Sequence, residues 1–287
     1  MYYGLILISV IMFGGCFYFN DEYRKRMGGS LKISLKYSAI SSFAAAVMLL
    51  ILNKFKVEFT LFTFLIALAS SITALSFSFC AFKALGSINL SLYSLFSMLG
   101  GMAIPFVQGI VFYNESITVA KVICFILICI ALLLTIEKGE KKKGTIYYIG
   151  IFTLNGMSGV LSKIFTSAPY EKTSAQGYTL LITLITLVLS VLILTLFFRK
   201  DGTTQKDTPV SLAIAAASGV TNKLANLWLV IALAHVDASV QYPMVTGGVM
   251  IVSTLICFFG EKKPSKKEIA SVLVAFVGML ALFAIPV

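Results

Sequence analysis

Ten windows of about 20 apolar residues follow one another along this chain, separated only by short polar breaks. A stretch of that length crosses a hydrocarbon core as a helix and is too long for a barrel strand. The windows fall at 2–19, 31–52, 59–82, 87–113, 117–136, 145–167, 174–198, 210–233, 238–259 and 268–285. In lipid every backbone N–H and C=O must be satisfied within the protein, which leaves the helix as the element these windows can form. The expected fold is therefore an all-α integral membrane protein of about ten transmembrane helices. Composition agrees: of 287 residues, 59% are hydrophobic and 12% charged, about half the charged share of a soluble domain.

Tyr2 to Phe19 has no basic stretch before it, and Arg24, Lys25 and Arg26 follow it. It is expected to be a retained first span, since a cleaved signal carries its basic residues at the start. The net charge of +11 does not point to nucleic acid, because the Lys and Arg sit in short runs between spans with no aromatic-interleaved basic surface. They act instead as orientation determinants. The loops after the odd-numbered spans carry 15 Lys and Arg and those after the even-numbered spans carry 3. That asymmetry predicts odd loops in the cytoplasm and both termini outside.

The chain also repeats itself. Under a shift of 148 residues, positions 67–100 match 215–248 at Ala67/Ala215, Ala69/Ala217, Ser70/Ser218, Thr73/Thr221, Ala84/Ala232, Leu85/Leu233, Ser91/Ser239 and Gly100/Gly248. At a shift of 146, Glu115 pairs with Glu261 and Lys121 with Lys267. The expected organisation is a first five-helix repeat over 1–138, a basic linker over 139–144 and a second repeat over 145–287. Five is odd, so the second repeat must enter the membrane with opposite orientation. Two inverted repeats about an axis in the membrane plane is an architecture of secondary transporters, with the site near the midplane between them.

Two five-helix units, each closing on an apolar helix, a (Gly/Asn)-Glu turn and a final apolar helix, resemble the drug/metabolite transporter superfamily in its ten-helix EamA branch. The stretches that carry the resemblance are AIPFVQGIVFYNES, IVSTLICFFGEKK and NGMSGVLSK, with Pro105 in the fourth span. The resemblance implies a multi-pass permease of the cytoplasmic membrane. It departs from the pattern in that the second half has Pro243 rather than a match to Pro105. Many relatives also keep both termini in the cytoplasm, opposite to the charge count.

Polar residues inside spans are the informative ones, because each is costly in lipid unless it faces a cavity or a partner. Span 8 carries Ser218, Asn222 and Asn226 on one face, with Lys223 beside them; span 6 carries Asn155, Ser158 and Ser162 likewise, with Lys163 nearer its end. Gly156 and Gly159 allow close approach there. Together with Trp228, Gln241 and Tyr242 these form the expected substrate-binding set, and Lys-plus-amide chemistry would suit an anionic, zwitterionic or neutral metabolite. Each also has a structural reading: snorkelling for the lysines, interhelical hydrogen bonds for the amides and hydroxyls, interfacial placement for the aromatics. Glu115 and Glu261 are expected to cap turns at the rim, and His235 to sit in a surface loop.

No span holds a membrane-centred Asp or Glu, which disfavours the proton-exchanging organic-cation exporters of the same superfamily. HExxH, GxSxG and Walker motifs are missing, and the five cysteines lie in apolar segments with no CxxC, so neither catalysis nor a metal or cofactor is expected. The expected partners are a small-molecule substrate and membrane lipids, with proton or sodium as the possible coupling ion. The rival readings are a multidrug or lipid-carrier exporter or flippase, and a non-transporting membrane assembly or sensor protein.

Overall fold

The computed structural model describes residues 1–28, 30–85, 90–134, 145–198, 208–258 and 265–284. The basic linker over 139–144, Glu261 and the side chains of Ser91 and Cys257 lie outside the described residues. Within them all regular structure is helical: α1 (Tyr2–Met27), α2 (Leu31–Leu52), α3 (Leu61–Leu85), α4 (Leu90–Tyr113), α5 (Val119–Leu134), α6 (Thr145–Ser167), α7 (Ala175–Phe197), α8 (Pro209–Leu233), α9 (Ala238–Phe258) and α10 (Lys266–Ala284). Seven of these contain a stretch long and apolar enough to cross a membrane. Of the other three, α5 and α10 are apolar but shorter, and α6 is diluted by its amide and hydroxyl side chains.

The helix ends follow from local chemistry. Ser30 accepts the Ile33 N–H at the start of α2, and Ser174 the Gly177 N–H at the start of α7. Thr208 and Ser211 form a reciprocal capping box at α8, with Pro209 in its first turn, where a missing N–H costs nothing. The expected end of α1 at residue 19 is too early. Its helix runs on to Met27 because Glu22 and Arg26 pair across one turn and Tyr23 and Met27 are buried against Ala215.

Side chains such as Leu7, Phe43, Phe112 and Phe197 stand 57–77% exposed, an outer apolar coat suited to lipid. Inside, α1 packs against α8 and α9, α2 against α7 and α8, α3 against α6 and α7, and α4 against α6 and α9. The pair α5 and α10 packs together on the α4–α9 flank, around Cys124, Ile128, Ala131 and Ala275. The tightest crossings are made by glycine. A Cβ at Gly219 on α8 would strike the Ser41 backbone of α2, and one at Gly100 on α4 would strike the Phe152 backbone of α6.

Replacing Gly219 by Ala should therefore force α2 and α8 apart, a cost of about 1–3 kcal/mol or more for overpacking against backbone. Thermal unfolding in detergent should show a clear fall in Tm. The control Gly15→Ala, whose new Cβ meets nothing within 4 Å, should melt with the parent protein.

Candidate functional site: a central cavity sealed at one end

A cavity of about 240 Å³ lies among α1, α4, α6, α8 and α9. Its residues sit near the middle of α1, α4 and α6 and in the facing halves of α8 and α9, and with Ser158 exposed in its lining it is an open cleft at mid-bundle. The polar lining comes entirely from 145–287: Asn155, Ser158 and Ser162 on α6, Asn226 on α8, and Gln241, Tyr242 and Thr246 on α9. The first five helices contribute Phe13, Met98 and Gly101. Leu229, Val230, Val245 and Val249 complete an apolar wall.

Of the residues expected to bind substrate, Asn155, Ser158, Ser162, Asn226, Gln241 and Tyr242 share this cavity. The other five stand outside its lining. Ser218 receives a 2.5 Å hydrogen bond from the Tyr37 hydroxyl of α2. Asn222 holds Asn226 through its carbonyl and side-chain oxygens. Trp228 packs in the α2–α7–α8 cluster around Leu49, Leu180 and Leu227. Lys223 is half-buried on α8. Lys163 turns away towards Glu115. Thr246 is a lining residue that sequence reasoning did not single out; its spacing of four from Tyr242 places both on one face of α9.

Beside the cavity, at one end of the bundle, the loops after α2, α4, α6 and α8 are tied together. Glu115, in the loop between α4 and α5, is the hub. Its Oε1 lies 2.7 Å from Lys163 Nζ, in a pair whose side chains are 9% and 4% exposed for Lys163 and Glu115 respectively. The same carboxylate accepts the N–H groups of Ala238 and Ser239, both at 2.9 Å, and the Ser239 hydroxyl at 2.6 Å. It thus caps the N-terminus of α9, where the helix dipole favours negative charge, rather than its own turn. Lys121 Nζ reaches Asp237 at 2.7 Å. On the other side of this end, Glu58 accepts the Ser174 N–H and hydroxyl at the start of α7. Each contact joins residues 1–138 to residues 145–287. His235 is exposed and stacks on Tyr2 with ring centroids 4.0 Å apart.

Burial alone would raise the Glu115 pKa. The Lys163 ammonium, the Ser239 hydroxyl and the two backbone N–H groups outweigh it and hold the carboxyl below its ordinary value.

No family model and no curated protein matches the sequence. The fold recurs among solved structures, with 29 matching chains. One crystal structure superposes with a TM-score of 0.77 at 13% identity, over 96% of this chain and 94% of that one. At that identity the likeness establishes a shared fold.

A carboxyl with a depressed folded pKa stabilises the native state above its unfolded pKa of about 4.3, and that stability disappears as pH falls through the lower folded value. Melting curves from pH 7 to pH 3 should therefore show Tm dropping at the acid end. Glu115→Gln should blunt that dependence and cost about 3–5 kcal/mol by stranding Lys163. Adding Lys163→Met to Glu115→Gln should recover part of the loss, the non-additivity that identifies a direct pair.

Proposed function

We propose that this chain is a secondary-active permease that moves a small polar metabolite across the cytoplasmic membrane by alternating access, as the resemblance to EamA-type transporters implies. One observation carries the reading: a cleft with one polar side at the middle of an apolar helix bundle, beside an end tied by polar contacts between residues 1–138 and 145–287. An assembly or sensor protein with the same helices would have a solid seam between α6 and α8. It would have no use for amide oxygens left open on a cleft.

The expected inverted repeat draws support from packing. Exchanging each helix for the one five positions on converts α1–α8 contact into α6–α3, α2–α8 into α7–α3, and α1–α9 into α6–α4, all of which occur. The exchange extends to single residues. Ser70 on α3 meets the Tyr178 hydroxyl of α7 at 3.1 Å, and Ser218 on α8 meets the Tyr37 hydroxyl of α2. Ala67 packs against α6 and α7, and Ala215 against α1 and α2. Gly100 presses α4 onto α6, and Gly248 presses α9 onto α1. These are the pairs that the 148-residue shift aligns. In a five-plus-five transporter, one half rocks against the other around a site between them. The contacts of Glu115, Glu58 and Lys121 would open on one side of that cycle.

A flippase or lipid-carrier exporter would need a far larger apolar chamber, which the 240 Å³ cavity does not offer.

Reconstitution into proteoliposomes tests the reading. Counterflow of a solute found by thermal stabilisation should be protein-dependent and saturable. Ser158→Phe, which fills the cavity from an open position, should reduce that flux at least tenfold with Tm nearly unchanged. Absence of flux for every stabilising solute would leave the assembly or sensor reading in its place.

A further inference from the structure

The three amide side chains that line the cavity are oriented alike. Asn155 Nδ2 donates to the Ser97 carbonyl at 2.6 Å, Asn226 Nδ2 to the Asn222 carbonyl at 2.8 Å, and Gln241 Nε2 to the Leu229 carbonyl at 3.1 Å. A main-chain carbonyl can only accept, so each contact fixes which end of the amide is nitrogen. In all three the nitrogen end is committed to the protein, with one N–H of Gln241 still unused among the described residues, and the carbonyl oxygen is left over. Gln241 is 1% exposed, and its Oε1 has no partner. Among the described residues no donor reaches Asn155 Oδ1 or Asn226 Oδ1 either.

Of the remaining lining polar groups, the Ser158 and Thr246 hydroxyls can donate or accept, and the others lean towards accepting. Tyr242 donates its hydroxyl hydrogen to the Gly159 carbonyl at 3.0 Å and keeps an oxygen that can accept. Ser162 donates to the Ser158 carbonyl. Pro105, one turn above the lining Gly101, has no N–H to give that residue's carbonyl. No charged side chain lines the cavity. The Lys163 ammonium beside it is already matched to Glu115. A buried acceptor without a donor costs about 1–3 kcal/mol; Gln241 Oε1 is one, and the oxygens of half-buried Asn155 and Asn226 stand open beside it.

Resting on the transport reading, we infer that this cavity recognises a small, non-anionic solute through the solute's own N–H or O–H donors, its lining acting as a set of carbonyl acceptors. A volume near that of eight waters at roughly 30 Å³ each limits the solute to a compact one. Phe13, Met98 and Val249 would hold its hydrocarbon part. A carboxylate or phosphate would face three amide oxygens and no cation, with only the Ser158 and Thr246 hydroxyls and one Gln241 N–H to answer it. Of the anionic, zwitterionic and neutral metabolites that a Lys-plus-amide pocket would suit, the neutral class fits this lining, because neither the Lys163 nor the Lys223 ammonium is part of it.

The test uses the purified full chain in detergent and a matched series on one branched five-carbon skeleton: primary carboxamide, primary ammonium and carboxylate. The carboxamide, the ammonium or both should raise Tm in a saturable way, and the carboxylate should not. The relative strength of the two effective probes then separates a neutral donor from a cationic one. Gln241→Leu, which removes the orphan acceptor, should weaken half-saturation at least tenfold without lowering the ligand-free Tm by more than a few degrees. Asn226→Asp should shift preference towards the ammonium. Stabilisation by the carboxylate equal to or above that by its isosteric amide would overturn the inference and leave transport standing. Lack of stabilisation by any solute in a wide panel, with no flux in proteoliposomes, would remove the transport reading itself.

Discussion

Lipid tails are as apolar as leucine, so hydrophobic force does little to gather these helices once they are in the membrane. What holds them is close approach at small residues and hydrogen bonds between helices. Gly219 lets α8 lie on the α2 backbone, Gly100 and Gly156 bring α4 and α6 together, and Gly248 admits Val10 of α1. Short polar ties are threaded between these crossings: Ser71 to the Ile182 carbonyl, Thr186 to Ser71, and Ser271 to the Ala131 carbonyl. The arrangement leaves large side chains outside, where lipid accepts them.

The same constraint explains why the cavity is conspicuous. Most polar groups between helices find partners, though Ser190 Oγ and Gln108 Oε1 do not. Around the cavity three amides share one outcome, in that each nitrogen has a protein partner and each oxygen has none. The ionic groups are placed differently. Lys163, Glu115 and Lys121 are buried at the end of the bundle, within a few ångströms of one another's loops, where they bind one half of the chain to the other. Charge thus ties the two halves of the chain together at this end, and uncharged polar groups line the cavity.

Helix number, helix bounds and the pairing of residues 148 apart were legible from the amino acids, because hydropathy over 20 residues is a local property. The extension of α1 to Met27 was not legible, since Asn20 to Arg26 read as a polar loop until Tyr23 found its place against Ala215. For the cavity, the stripes of α6 and α8 pointed to Asn155, Ser158, Ser162 and Asn226. They pointed equally to Ser218 and Asn222, which are taken up by Tyr37 and by Asn226. Spacing along a helix fixes which residues share a face, but not what that face meets. Glu115 was visible only as a turn residue, because nothing local announces that its carboxylate lies against Lys163 and the start of α9.

By itself, then, the sequence determined a chain of apolar helices long enough to span a membrane, since that is written in hydropathy over about 20 residues. Tertiary structure alone decided which polar residues surround a void and which are consumed between helices. It also decided that the lysines are absent from that void's lining and that each amide offers its oxygen. These outcomes depend on hydrogen-bond partners brought in from other helices, and direction in a hydrogen bond exists only once both ends are in place.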